Sequence, residues 1–110
     1  MKYLLHWLLS AAAALAAFTA LPAAANQALA TAKSCMACHG VDKKLVGPAF
    51  KDIARRYAGN KDADVLLITK IMKGSRGAWG PVPMPPNTRV SEAEAKMLSA
   101  WVMSLARDSQ

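Results

Sequence analysis

Two thiols and an imidazole stand within five residues of this chain, in the run Cys35-Met36-Ala37-Cys38-His39. The spacing C-x-x-C-H is that of covalent haem attachment. Positions three and four apart on a helical turn share a face, so Cys35, Cys38 and His39 can all be aimed at one cofactor. The sulfurs would then reach the two vinyl groups along one haem edge while the His39 ring approaches the iron. Two other chemistries use a Cys-x-x-Cys pair. A structural zinc site needs four Cys or His ligands, and the one further candidate is His6, in the N-terminal apolar segment. A thioredoxin-like site needs a neighbouring βαβ pattern, and no alternating β-rich strands flank the motif. The expectation is one haem c, bound covalently through Cys35 and Cys38, with His39 on the iron.

The second axial ligand follows from counting, once the start of the chain is read. Lys2, the apolar run from Leu4 to Ala20 and the Ala23-Ala24-Ala25 site have the form of an export leader at residues 1–25, cleaved between Ala25 and Asn26. The rival reading is an uncleaved anchor, because the apolar run approaches the length of a spanning helix. Cleavage removes His6 and leaves His39 the sole histidine, so a bis-histidine haem cannot form within one mature chain. Five mature methionines remain, with lysine a less common ligand. Met36 lies inside the attachment loop beside His39, Met72 and Met97 fall in helical apolar stripes where methionine is usually filler, and Met103 lies off the stripe of the last helix. Met84 differs: it sits in Pro81-Val82-Pro83-Met84-Pro85-Pro86-Asn87, where fixed φ angles limit where its side chain can point. A thioether is a weak ligand, and a stiff loop lowers the entropy cost of keeping it on iron. Met84 is the expected partner of His39.

These groups need positioning, and the pattern supplies helices to do it. The Ala-rich stretch Asn26 to Ala37 reads as a first helix carrying the motif at its end, with Gly40 as its stop. Gly47-Pro48 opens a short helix from Ala49 to Ala58, with Phe50, Ile53 and Tyr57 on its inner face. Asp62 or Asp64 caps a third helix to Lys73, with Val65, Leu67, Ile68, Ile71 and Met72 as its apolar side. Residues 74–90, rich in Gly and Pro around Trp79 and Met84, form a loop too long to be incidental in a small domain. Ser91 and Glu94 make an S-x-x-E capping box before a last helix with Met97, Leu98, Trp101, Val102 and Leu105 inward. The class is all-α, a single domain at residues 26–110, with three to five helices wrapped around one cofactor.

Size and charge set further bounds. Losing the leader leaves 85 of the 110 residues, whose apolar side chains alone make a marginal core. A disulfide between Cys35 and Cys38 would close a tiny strained ring and constrain little chain, so the porphyrin itself must complete the core. Of 14 basic residues the leader takes only Lys2, and of 7 acidic ones none, which leaves a formal charge of +6. An exported protein does not meet nucleic acid. The charge therefore points to docking on acidic protein or membrane surfaces, with Lys33, Lys43 and Lys44 nearest the motif.

The motif CMACH, the segment VGPAFKDIA, the loop WGPVPMPPN and the helix bearing Trp101 together resemble the short bacterial class I cytochromes c of the cytochrome c-551 type, over essentially the whole mature chain. The resemblance implies a class I cytochrome c fold. It also implies attachment of haem outside the plasma membrane and a soluble periplasmic carrier, not an enzyme, that delivers single electrons to a nitrite reductase or a terminal oxidase. It further implies that the Pro48 carbonyl accepts the outer N–H of His39, that the Trp79 indole N–H and Lys70 approach haem propionates, and that the Asn87 amide lies near the Met84 sulfur. Ala30 stands where some members have an aromatic residue. With both axial positions filled by protein, electron transfer is favoured over catalysis. The alternative is a haem enzyme or gas-binding domain with a displaceable Met84, for which the sequence offers no distal acid or base. Intact-mass measurement of the exported protein is expected to give residues 26–110 plus one haem; a mass that retains residues 1–25 overturns the leader assignment.

Overall fold

The computed structural model describes residues 22–109, so the greater part of the leader, residues 1–21 including His6, lies outside the described residues. Four α-helices follow in order: α1 Pro22–Ala32, α2 Phe50–Tyr57, α3 Ala63–Lys73 and α4 Glu92–Ser104, with short 3-10 turns at Cys35–Ala37 and Arg107–Ser109. The described residues contain no sheet, only two isolated bridges, His39 with Lys44 and Ser75 with Met84. None of the described helices is long and apolar enough to cross a membrane.

Helix α4 is the axis of the fold. Each of α1, α2 and α3 packs against it. Its inward residues Ala95, Leu98, Trp101 and Val102, with Leu105 just past its end, recur at helical spacing, and they meet Ala30 of α1, Phe50 and Ala54 of α2 and Leu67 of α3. The Phe50 ring meets Trp101 edge to face, with centroids 5.1 Å apart. Ala30 is wholly buried, so the small side chain lets α1 approach.

The structure corrects several sequence expectations. Helix α1 starts at Pro22, where a proline costs no hydrogen bond, and it ends at Ala32 rather than running through the motif. Ser34 is left-handed (φ 64°) and breaks the helix, so the attachment motif lies on its own 3-10 turn. Asp62 occupies the position before α3 but makes no side-chain cap, because its backbone (φ −99°, ψ 6°) is not the extended form that capping needs. Asn60 Oδ1 accepts the Asp62 N–H instead, at 2.8 Å. Val65 and Met97 are exposed, at 68% and 47%. Val65 is about 200° around α3 from Leu67, and Met97 about 100° around α4 from Leu98.

The capping box is present at α4. Glu94 N–H donates to Ser91 Oγ at 3.1 Å, and Ser91 N–H donates to Glu94 Oε1 at 3.0 Å. The Ser91 N–H and the Lys33 ammonium, 3.2 Å from Glu94 Oε2, hold the Glu94 carboxyl below the usual carboxylate range. Two consequences are expected in thermal melts. S91A should cost about 1 kcal/mol, the usual worth of a lost N-cap. A carboxylate with a depressed native pKa stabilises the fold above its unfolded pKa and loses that contribution as pH falls through the native one, so wild type should exceed E94Q at neutral pH and converge with it in acid.

Candidate functional site

The attachment turn is compact because two amides share one carbonyl. Cys38 N–H and His39 N–H both donate to Cys35 C=O, at 3.2 and 3.0 Å, which keeps the two thiols and the imidazole on one short arc. Cys35 is half-buried and Cys38 exposed. Burial pushes the Cys35 thiol above its ordinary pKa; its own backbone N–H opposes the shift and the Cys38 thiol adds to it.

The loop after the motif is fastened to α2 by backbone alone. Ala49 has no side chain able to cap, and two first-turn N–H groups of α2 find other acceptors: Phe50 donates to Gly40 C=O at 2.9 Å and Lys51 to Val41 C=O at 3.1 Å. Gly47 N–H closes the loop onto Cys38 C=O at 2.7 Å. This wraps the loop around a buried His39, whose ring stacks on Phe50 with centroids 4.9 Å apart. His39 Nδ1 lies 2.7 Å from Pro48 O. A carbonyl can only accept, so Nδ1 carries the proton and Nε2 is the basic nitrogen. Gly47 is needed here for space: a Cβ on it would lie 2.7 Å from His39 Cε1.

Across the cavity, Met84 is held through its backbone. Met84 N–H donates to Ser75 C=O at 2.9 Å and Ser75 N–H to Met84 C=O at 3.0 Å. Gly74 permits this approach: its φ is 81°, and a Cβ on it would lie 2.6 Å from Met84 O. The Asn87 backbone N–H and side-chain Nδ2 both donate to Ile71 C=O, at 3.1 and 2.9 Å, tying the proline loop to the end of α3. Lys70 Nζ donates to Ser75 Oγ at 3.1 Å. Lys33, expected among the docking lysines, is instead committed to the fold: it donates to Arg89 C=O at 2.9 Å besides pairing with Glu94.

Between these two sides lies one cavity of about 350 Å³. Cys35, Cys38, His39 and Met84 all line it, as do Pro48, Lys70, Trp79 and Asn87, so the residues expected around the haem face the same space. Its walls are otherwise largely apolar. Phe50, Leu67, Leu98, Trp101 and Val102 line it too, and each keeps 3–7% of its surface exposed although it belongs to the core. Two thiols, one basic ring nitrogen, one thioether and an apolar box fit a covalently held haem. The sequence reading missed Gly47, which it took only as a helix opening, and Phe50 as the platform under His39. It also missed Ser75 as the anchor for Met84. Only the Gly-Pro pair before α2 carried a readable signal, a backbone forced close to something.

The matches to known proteins agree with this geometry. The family model of cytochrome c matches residues 23–106. A cytochrome c-551 of Stutzerimonas stutzeri is 50% identical over 105 residues, covering 96% of this chain and 99% of that one. A cytochrome c-552 of Hydrogenobacter thermophilus is 54% identical over 81 residues, 74% of this chain and 82% of its own. The crystal structure of wild-type cytochrome c552 from Nitrosomonas europaea superposes with a TM-score of 0.70 at 52% identity, covering 72% of this chain and 98% of that one. The chain therefore belongs to the cytochrome c family, as a class I c-type cytochrome with a single covalently bound haem, an electron carrier and not an enzyme.

Proposed function

We propose that the mature protein is an exported carrier whose haem iron is held between His39 and Met84, and which donates single electrons to a periplasmic nitrite reductase or terminal oxidase. The observation that supports this most is the position of Met84: it lines the cavity of Cys35, Cys38 and His39, with its backbone fixed by both hydrogen bonds to Ser75. When bound, the haem supplies an iron that cycles between ferric and ferrous states by one electron. His39 presents Nε2 because Pro48 takes the proton on Nδ1, and a ring so fixed is the same ligand in both oxidation states. The Met84 thioether, a soft and uncharged donor, favours the ferrous state and raises the potential. An iron held by both His39 and Met84 would leave no position for oxygen or a substrate.

The polar residues of the cavity complete the reading. Trp79 N–H and Lys70 are suited to the haem propionates, and Asn87, tethered to Ile71, is suited to steady the Met84 sulfur. On the outside, Cys38 is exposed and the bridge between His39 and Lys44 brings Lys43 and Lys44, both exposed, beside the motif. Leu45, Val46 and Val82 are exposed apolar neighbours, at 50%, 57% and 60%. An apolar contact ringed by lysines suits brief docking of a partner with an acidic rim. The same reading takes residues 1–25 as the leader removed after Ala25, leaving residues 26–110 as the carrier.

Two measurements test the proposal. M84A should lose the sulfur-to-iron absorption band near the red end of the ferric spectrum, and the reduced variant should bind carbon monoxide that the reduced wild type resists; a band that survives in M84A overturns the ligand assignment. Electron-transfer rates with an acidic partner should fall steeply as ionic strength rises past 0.1 M, where the screening length is about 10 Å, and K43E/K44E should flatten that dependence. A rate indifferent to salt would leave docking to the apolar contact alone.

A further inference from the structure

One wall of the haem cavity is made by a segment with little to hold it. Gly74, Gly77 and Gly80 all have positive φ, at 81°, 76° and 115°. Glycine loses more freedom on ordering than any other residue, so a side chain between two of them is poorly fixed by its own backbone. Trp79 is that side chain. It lines the cavity yet is 39% exposed.

What restrains it comes from another element. Arg56 of α2 places its guanidinium carbon 4.3 Å from the centroid of the Trp79 ring. The same group donates from Nη1 to the Ala78 carbonyl at 2.5 Å, so one planar cation grips both the indole and the adjoining peptide. The guanidinium also lies 6.0 Å from the Tyr57 ring centroid. Its neighbour Arg55 carries the same charge on the same turn but is committed to Asp52.

We propose that Arg56 is a positioning residue, a latch that holds the Trp79 loop on α2 and keeps that wall of the cavity closed. The functional half of this rests on the haem reading of the cavity; the latch itself is a property of the chain. A closed wall excludes water from the iron. Because water stabilises the more highly charged ferric state, opening the wall lowers the potential.

The test uses the haem-loaded protein and two readouts. The first is tryptic nicking at Arg76–Gly77, inside the loop, followed by fragment mass, since cleavage of a local segment tracks the population of its open form. The second is the midpoint potential. A cation–π contact and a charge-assisted hydrogen bond lost together should raise nicking in R56A about tenfold, with a lower potential. R55A, which removes the same charge, should leave nicking unchanged and move the potential less. R56K, which keeps a cation near the ring, should recover part of both. The proposal fails if R56A and R55A behave alike, or if R56A accelerates cleavage at Lys96 in α4 as much as at Arg76, which would mean general loosening. A wrong Met84 assignment would show in the ferric spectrum of M84A and would leave the nicking comparison standing.

Discussion

The fold depends on a core that its helices do not close. Helix α4 collects the other three, but Phe50, Leu67, Leu98, Trp101 and Val102 all border the same cavity of about 350 Å³. At roughly 25 cal/mol for each Å² of apolar surface removed from water, a small domain cannot leave such a space empty and keep a useful margin. A flat apolar cofactor fills it from the inside. The covalent links at Cys35 and Cys38 then make the filler part of the chain, so its binding does not draw on a free concentration. Cofactor and core are one structural problem with one solution.

The polar atoms around that space follow from the same constraint. Among the described residues, those lining the cavity include the charged Lys33, Lys70 and Arg89 and no carboxylate. Such a lining suits a ligand with an apolar body and anionic ends. Lys33 and Lys70 are already tied to Arg89 C=O and Ser75 Oγ, which sets where their charge lies before anything binds. His39 is treated likewise, its outer nitrogen taken by Pro48 and its ring laid on Phe50. Each group is oriented by its neighbours, which keeps rearrangement on electron gain or loss small.

Much of this was legible in the sequence, for reasons tied to particular residues. The attachment motif is contiguous, so its chemistry can be read without a fold. That Met84 belongs at the cavity could be reached by counting histidines and following prolines, because proline fixes backbone wherever it occurs. The box at Ser91 and Glu94 is likewise local. What the sequence hid was whatever depends on distant backbone: the use of Gly40 and Val41 carbonyls to cap α2, the pairing of Met84 with Ser75, and the diversion of Lys33 from the surface to Glu94. The left-handed Ser34 was hidden too, since serine gives no sign of it where glycine would. Val65 and Met97 were misplaced because an apolar residue beside a stripe looks like part of it, although a few residues of rotation turn it to solvent.

The backbone capping of α2 has a consequence for how the two halves of the site come apart. His39, its loop and α2 are joined by the Phe50 N–H on Gly40 C=O and the Lys51 N–H on Val41 C=O, with the ring stack added. Met84 is held by its pair of hydrogen bonds with Ser75 and by the two that tie Asn87 to Ile71, beside a glycine whose N–H closes on Lys70 C=O at the end of α3. The two sides are thus fastened by separate sets of backbone bonds, one to α2 and the other to the end of α3. A substitution that loosens α2 therefore acts first on His39, and one that loosens the end of α3 acts first on Met84.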